Sequence, residues 1–141
     1  MNIIADACFW IALYDARDSH HKWAVETWDA LQYGNKFLIP YPTMYEFVDT
    51  RFEKDKENLE FFKRLFNNEN LVRRISDEEY KDKALELSLR WSKRTISLVD
   101  HTIRLMLDDD KIKKHALITL NVKDFVDVCH SKNIQLIYRE K

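Results

Sequence analysis

The chain has 141 residues and a formal net charge of −1, and 45% of its residues are hydrophobic and 33% are charged. This length predicts a single domain over residues 1–141, and the hydrophobic content excludes an intrinsically disordered chain. Every apolar run is shorter than the roughly 20 residues of a membrane span, and Asp6 interrupts the first of them. We therefore expect a cytoplasmic protein with no membrane segment and no secretory signal.

In chain order, buried strands are predicted at residues 3–5, 37–39, 71–75, 115–119 and 134–138. Helices are predicted at 9–14, from a cap at Asp18 or Ser19 to a stop at Gly34, from Pro42 onward, at 56–66, after a Ser76–Glu79 capping box, and at 99–107. The helix after that box is expected to be long, with Leu85, Leu89 and Trp91 among its apolar residues. Solid apolar strands that alternate with helices are typical of an α/β fold with a mainly parallel sheet.

Glycine and cysteine usage narrows the possible chemistry. Gly34 is the single glycine of the sequence, whereas P-loops and dinucleotide-binding turns need several glycines for close backbone approach to phosphate. Any phosphate chemistry must therefore depend on metal ions or side chains. Cys8 and Cys129 lie far apart and form no C-x-x-C pair, so we expect two reduced, buried thiols.

Four acidic positions accompany the predicted strands. Asp6 ends the first strand, Glu46 lies one turn into the helix after the second, Asp100 opens a later helix, and Asn121 and Asp124 follow the strand HALIT. Each acid has a local alternative role: Asp6 can cap a turn, T-x-x-E and S-x-x-D resemble capping boxes, and an acid in a first helical turn suits the helix dipole. Local roles do not explain why all of these positions fall near the carboxyl ends of strands, where open parallel sheets bind ligands.

A shared pocket for these acids has a chemical consequence. Carboxylates brought together repel one another, and some take up protons, unless a cation is present. Oxygen ligands without Cys or His favour Mg²⁺ or Mn²⁺, and such an ion can activate water and orient a phosphodiester. The sequence therefore predicts metal-assisted phosphodiester hydrolysis without a side-chain nucleophile.

The stretches IIADACFWIALYDARDSHH, IPYPTMYEFVDTR, SLVDHTI and ITLNVKDF carry these acids in a familiar order. Their order and spacing resemble the PIN-domain family, and within it the VapC-type toxins of toxin–antitoxin pairs, over nearly the whole chain. The resemblance implies a three-layer α/β/α fold and a Mg²⁺- or Mn²⁺-dependent endoribonuclease. It also implies an RNA substrate, a homodimer, and inhibition by a small antitoxin protein.

Carried over residue by residue, the resemblance assigns Asp6, Glu46 and Asp100 as the first three metal-binding and catalytic acids. The fourth place, two residues after the threonine of the turn, holds Asn121 where family members often have Asp. Asp124, one helical turn later, is predicted to take that role. A neutral amide leaves one charge fewer, so one-metal chemistry or low intrinsic activity stays open.

Two other functions also stay open. A receiver domain phosphorylated on an aspartate would need an acidic pair after the first strand, and Asp6 stands without an adjacent acid. A PIN-like module that has lost catalysis and binds only RNA or a protein is the alternative that the amide favours. Arg51 and Lys54 are the best candidates for RNA contact, whereas Lys93 and Arg94 are predicted to be solvated surface.

Overall fold

The computed structural model describes residues 1–48 and 55–140. The strands are β1 Asn2–Ala5, β2 Lys36–Pro40, β3 Val72–Ile75, β4 Ala116–Ile118 and β5 Gln135–Ile137. The helices are α1 Ala7–Tyr14, α2 His21–Leu31, α3 Tyr41–Phe47, α4 Lys56–Phe66, α5 Lys81–Ser88, α6 Leu98–Asp108 and α7 Val126–Ser131, with a 3₁₀ turn at Val122–Asp124. No helix in the described part of the chain is long and apolar enough to cross a bilayer. Arg51 and Lys54 lie outside the described residues.

The five strands form one parallel sheet in the order β3-β2-β1-β4-β5, which confirms the predicted α/β class. From β1 the chain moves outward through β2 and β3 on one side, and β4 and β5 complete the other side. β1 and β4 therefore border the topological switch point, the place where open parallel sheets bind ligands. A receiver domain would have the order β2-β1-β3-β4-β5, so the observed order excludes that alternative.

Helices cover both faces of the sheet and complete the predicted three layers. Alternate strand residues point to opposite faces, so Ile3 belongs to one apolar cluster and Ile4 to the other. The first cluster is rich in aromatic rings, with Trp10 of α1 in contact with Phe37, Phe47 and other rings. The second cluster is mostly aliphatic and includes residues of α6 and α7. Burial on both faces holds the ends of β1, β2 and β4 in defined positions.

Two predicted helix starts are wrong. The first residue of α2 is His21, and Asp18 accepts the N–H of His20 in the preceding turn instead of capping the helix. The hydroxyl of Ser76 accepts the N–H of Glu78, which makes a local turn and leaves no capping box at α5. These short polar side chains satisfy nearby backbone groups two residues on, and that local bond competes with the capping geometry.

The helix after this turn is also shorter than predicted. It ends at Ser88, and Leu89 and Trp91 lie beyond it with exposed fractions of 77% and 86%. The expectation that these residues line an apolar helix face is wrong. By contrast, Gly34 has a φ of +79° just past α2, which confirms the predicted left-handed stop. Cys8 and Cys129 are both free thiols, but of the two predicted buried positions only Cys129 is buried, and Cys8 is half-buried.

Candidate active site

Asp6 begins the site because it is the residue that joins β1 to α1. Its Oδ1 accepts the N–H of Ala7 at 2.7 Å as the N-cap of α1, and its Oδ2 accepts the hydroxyl of Thr119 at 3.1 Å. Burial raises the pKa of Asp6, while these two hydrogen bonds act in the opposite direction. The local capping role and the position at the sheet edge are therefore both real, and the second hydrogen bond ties β1 to the end of β4.

Glu46 reaches the same place from α3, for a reason that the sequence did not indicate. The N-cap of α3 is Pro40, and the hydroxyl of Thr43 donates to the carbonyl of Pro40 at 2.7 Å. The predicted Thr43–Glu46 capping box is therefore wrong, since Thr43 lies inside the helix. Glu46 lines the cleft beyond the strand ends, where burial first and then the charge of Asp6 raise its pKa.

Asp100 comes from the first turn of α6. Ser97 is the N-cap and its Oγ accepts the N–H of Asp100 at 3.1 Å, so this predicted cap is confirmed. The Asp100 carboxyl does not complete a box but is buried, and its Oδ2 accepts from Nδ2 of Asn121 at 3.0 Å. Burial first and then the charge of Asp6 raise its pKa to about 7.

Asn121 and Asp124 come from the turn after β4. Nδ2 of Asn121 donates to Asp100 and also to Oδ2 of Asp124 at 2.8 Å, so the amide nitrogen lies between two carboxylates. Asp124 also accepts from Nη2 of Arg94 at 2.6 Å, and the same guanidinium nitrogen donates to the carbonyl of Lys123. The amide and the guanidinium together offset part of the negative charge at this position.

Arg104 stabilises the turn that carries Asp124. Its two terminal nitrogens contact the carboxylate of Asp127 at 2.7 and 2.8 Å, and Nη1 also donates to the carbonyl of Asp124 at 2.6 Å. A bidentate ion pair of this kind fixes both orientation and distance. Sequence reasoning missed this residue, together with Arg94 and Thr119, because their partners lie 20 or more positions away in the chain.

One open cleft of about 530 Å³ lies beyond the ends of β1 and β4 and is lined by side chains from several elements. The cleft brings together all of the predicted site residues, namely Asp6, Glu46, Asp100, Asn121 and Asp124, and adds Cys8, Thr95, Ser97 and Leu120. The thiol of Cys8 accepts the N–H of Leu120 at 3.4 Å, and burial raises its pKa to about 12. A thiol that stays protonated is a poor nucleophile, so the reactive groups of the cleft are its carboxyls.

The donor set suits a hard divalent cation, because it consists of carboxylate and amide oxygens. The raised pKa values of Asp6, Glu46 and Asp100 fit the same conclusion, since a cation would relieve their mutual repulsion. Nevertheless, within residues 1–48 and 55–140 no three His, Cys, Asp or Glu side chains stand close enough together to hold an ion. The Asn121 amide nitrogen lies between two of the acids, so this side chain would offer its oxygen to an ion only after the amide turned.

Comparison with known structures places this cleft in a wider context. The crystal structure of VapC20 from Mycobacterium tuberculosis, a toxin that cleaves the sarcin-ricin loop, matches with a TM-score of 0.67. The match covers 89% of this chain and 94% of VapC20, at 18% sequence identity. The chain has the fold of VapC-type PIN-domain toxins.

A second structure has the same kind of fold. VapBC2 from Rickettsia felis, crystallised with a DNA fragment from its promoter, matches with a TM-score of 0.50 and 14% identity. That match covers 99% of this chain and 100% of the other. No protein-family model and no curated protein matches this sequence. The VapC-type likeness therefore depends on the three-dimensional path of the chain, which agrees with the resemblance of its acidic motifs.

Proposed function

We propose that this protein is a Mg²⁺- or Mn²⁺-dependent endoribonuclease and the toxin of a toxin–antitoxin pair. The observation that supports this most strongly is the convergence of Asp6, Glu46, Asp100 and Asp124 in one cleft at the switch point of a VapC-type fold. This arrangement is costly for a stable protein, because burial and nearby negative charge raise the pKa values of Asp6, Glu46 and Asp100. Metal-assisted hydrolysis of RNA gives this costly arrangement a purpose.

Each residue has a proposed task in that reaction. Asp6, Glu46 and Asp100 would hold the cation, and Asp124 or Asn121 would complete its ligand set. A divalent cation bound there would supply the positive charge that activates water and stabilises the developing charge on the phosphodiester. Thr119 fixes the orientation of Asp6 through its 3.1 Å hydrogen bond. Without a cation the Asp100 carboxyl has a pKa of about 7, and a bound cation would favour its ionised form.

The proposed partners follow from the same reasoning. The VapC-type resemblance implies a small antitoxin protein, and the R. felis neighbour was crystallised as VapBC2. A small antitoxin protein is therefore the proposed regulator of this chain, and the predicted homodimer remains part of the proposal. A cytoplasmic location, where RNA and antitoxin are both present, also remains a prediction.

The decisive experiment is RNA cleavage by the purified chain with Mn²⁺ and with EDTA, on a panel of structured RNAs. We expect the native chain to cleave RNA with Mn²⁺ and not with EDTA. The variants Asp6→Asn and Glu46→Gln should not cleave RNA with Mn²⁺. Asp29→Asn is the matched control, since Asp29 is an exposed acid on α2, outside the cleft. Cleavage that persists in both cleft variants would reject the assigned site and indicate a contaminating nuclease.

The second candidate is a module that binds RNA or a protein without cleaving it. It is favoured by Asn121 at the expected acidic place and by the Arg94 guanidinium on Asp124. Isothermal titration with Mn²⁺ separates the two functions. A chain that binds RNA but neither binds Mn²⁺ nor cleaves would be this module.

A further inference from the structure

The rim of the acidic cleft carries a cationic segment that the proposed reaction does not yet use. Residues 87–99 run from the end of α5 into the first turn of α6 and contain Arg90, Lys93 and Arg94 but no acidic residue. Thr95 and Ser97 of the same segment line the cleft. RNA is a polyanion that four cleft carboxyls would repel, so cations at the rim are what would hold it there.

Arg94 connects this segment to the cleft itself. Its guanidinium contacts the carboxylate of Asp124 and the carbonyl of Lys123, while its side chain remains 52% exposed. A guanidinium has more N–H donors than these two acceptors use, so it can also contact a phosphate. Arg94 lies on the solvated surface, as the sequence predicts, and it also contacts partners 29 and 30 residues away that the sequence did not indicate.

Trp91 stands out between these cations. Its side chain is 86% exposed, the largest exposed fraction among the large hydrophobic residues of the described chain. Arg94 comes three positions after Trp91 in the sequence, so the Cα atoms of the two residues are at most about 11 Å apart. An exposed indole beside cations is the combination with which proteins bind unpaired nucleotides, since bases stack on the ring and phosphates contact the cations.

We propose that residues 90–95 form a binding loop for unpaired RNA. Trp91 stacks on a base close to the cleaved phosphodiester, and Arg94 contacts a phosphate at the mouth of the cleft. This inference rests on the proposed ribonuclease function and narrows its substrate to RNA with unpaired nucleotides at the cut site. A paired duplex keeps its bases stacked inside the helix and offers none to the indole.

The test measures RNA binding separately from cleavage, with the full chain in EDTA. The probes are a labelled RNA hairpin with an unpaired loop and a perfect RNA duplex of the same length. We expect tighter binding to the hairpin, and about tenfold weaker hairpin binding by Trp91→Ala. Trp91→Phe should retain most of the affinity. Tyr33→Ala is the matched control, because Tyr33 is 79% exposed and borders a cleft at the opposite sheet edge.

The intrinsic fluorescence of the protein gives a second readout. Trp10 and Trp28 are buried and Trp23 is partly buried, so Trp91 is the exposed indole of the chain. Addition of the hairpin should quench the emission of the native protein, and this quenching should disappear in Trp91→Phe. Quenching that persists in Trp91→Phe would show that RNA contacts another part of the molecule and would reject the stacking role.

The contribution of Arg94 is measured by salt dependence. One lost phosphate contact should lower the slope of log affinity against log salt by about 0.7 for single-stranded RNA. We expect this change in Arg94→Ala, little change in Arg94→Lys, and none in Arg64→Ala. Arg64 is an exposed cation in the last turn of α4, shortly before the amino end of β3. It therefore lies at the end of the sheet opposite to the acidic cleft.

The outcomes separate this inference from the proposed function. Weaker hairpin binding by Trp91→Ala without any Mn²⁺-dependent cleavage would support the loop and reject the nuclease. Cleavage by the native chain with hairpin binding indifferent to Trp91 would reject the loop alone and leave it as a surface for a protein partner. Failure of the native chain to bind the hairpin, or equal binding of hairpin and duplex, would also overturn the proposal.

Discussion

Two clefts of nearly equal size lie at opposite edges of the same sheet. The cleft at the carboxyl ends of the strands measures about 530 Å³ and the one at the amino ends about 560 Å³. The carboxyl-end cleft is lined by four acids among other residues, whereas the amino-end cleft is lined by Asn, Gln, Tyr, Lys, Met and Leu side chains and Gly34, with no acid. Size alone therefore does not identify the functional site of this molecule.

The two edges differ in how their polar groups are satisfied. At the amino edge the terminal ammonium of Met1 donates to Oδ1 of Asn35 at 2.8 Å, and the N–H of Asn2 donates to His115 at 2.9 Å. Those contacts pair donors with neutral acceptors and crowd no like charges. At the carboxyl edge, burial first and then the charge of Asp6 raise the pKa of Asp100. Crowded like charges that a protein retains are a signature of function, because they reduce stability.

The largest expected effect comes from Asp100→Asn. Removing a proposed metal ligand should reduce Mn²⁺-dependent cleavage by about 100-fold or more, since the ion stabilises the transition-state charge. The same variant should be more stable than the native chain in EDTA, because it removes one of the repelling carboxyls while its amide oxygen can still accept from Asn121. Activity assays and urea unfolding measure the two effects. Loss of both activity and stability would indicate a structural role only.

The next prediction concerns Asn121→Asp, which adds a negative charge to the carboxyl-end cleft. In Asn121→Asp the donor between Asp100 and Asp124 becomes a further carboxylate, so the chain in EDTA should lose about 1–2 kcal/mol of unfolding free energy. Its Mn²⁺ dissociation constant should fall about tenfold, because the ligand set gains a charge. Isothermal titration and urea unfolding test both parts. Unchanged Mn²⁺ affinity would show that position 121 does not face the ion.

A smaller effect is expected from Arg104→Ala, which removes the brace behind the cleft. The loss of the ion pair with Asp127 and of the bond to the Asp124 carbonyl should cost about 1 kcal/mol of stability, since one partner is exposed. Cleavage should fall severalfold because the turn carrying Asp124 is released. Lys83→Ala is the matched control, as Lys83 pairs with the exposed Glu86 on α5 and lies outside both the cleft and the proposed binding loop. Equal activity in both variants would contradict the bracing role.

The last prediction concerns the pH dependence of stability. Asp100 has a folded pKa of about 7 against an ordinary value of 3.8, so between these values the unfolded chain binds fewer protons than the folded one. Stability in EDTA should therefore fall as pH rises from about 4 to about 7. Mn²⁺ should offset that fall because it binds the ionised form. Melting temperatures at pH 5 and pH 8 test this, and Asp100→Asn should flatten the profile.

Much of the fold was predictable because its signals are local. Short apolar runs at 3–5, 37–39 and 115–119 fall on β1, β2 and β4, and the predicted helix at 56–66 matches α4. The capping boxes were less predictable, because short polar side chains have several local partners that differ little in energy. Thr43 donates to a carbonyl and Ser76 accepts in a turn, whereas Ser97 caps its helix as expected.

The sequence by itself determined that the chain alternates strands and helices. It also determined that an acid follows each of the two strands that border the switch point, Asp6 after β1 and Asp124 after β4. Periodicity and strand length carry that information within a few residues of each position. Only the tertiary structure decided which side chains meet: Thr119 on Asp6, the Asn121 amide between two acids, and Arg94 at the mouth of the cleft. Apart from the local contact between Asn121 and Asp124, these pairs are 21 to 113 residues apart, so they depend on how the sheet is ordered and not on any local pattern.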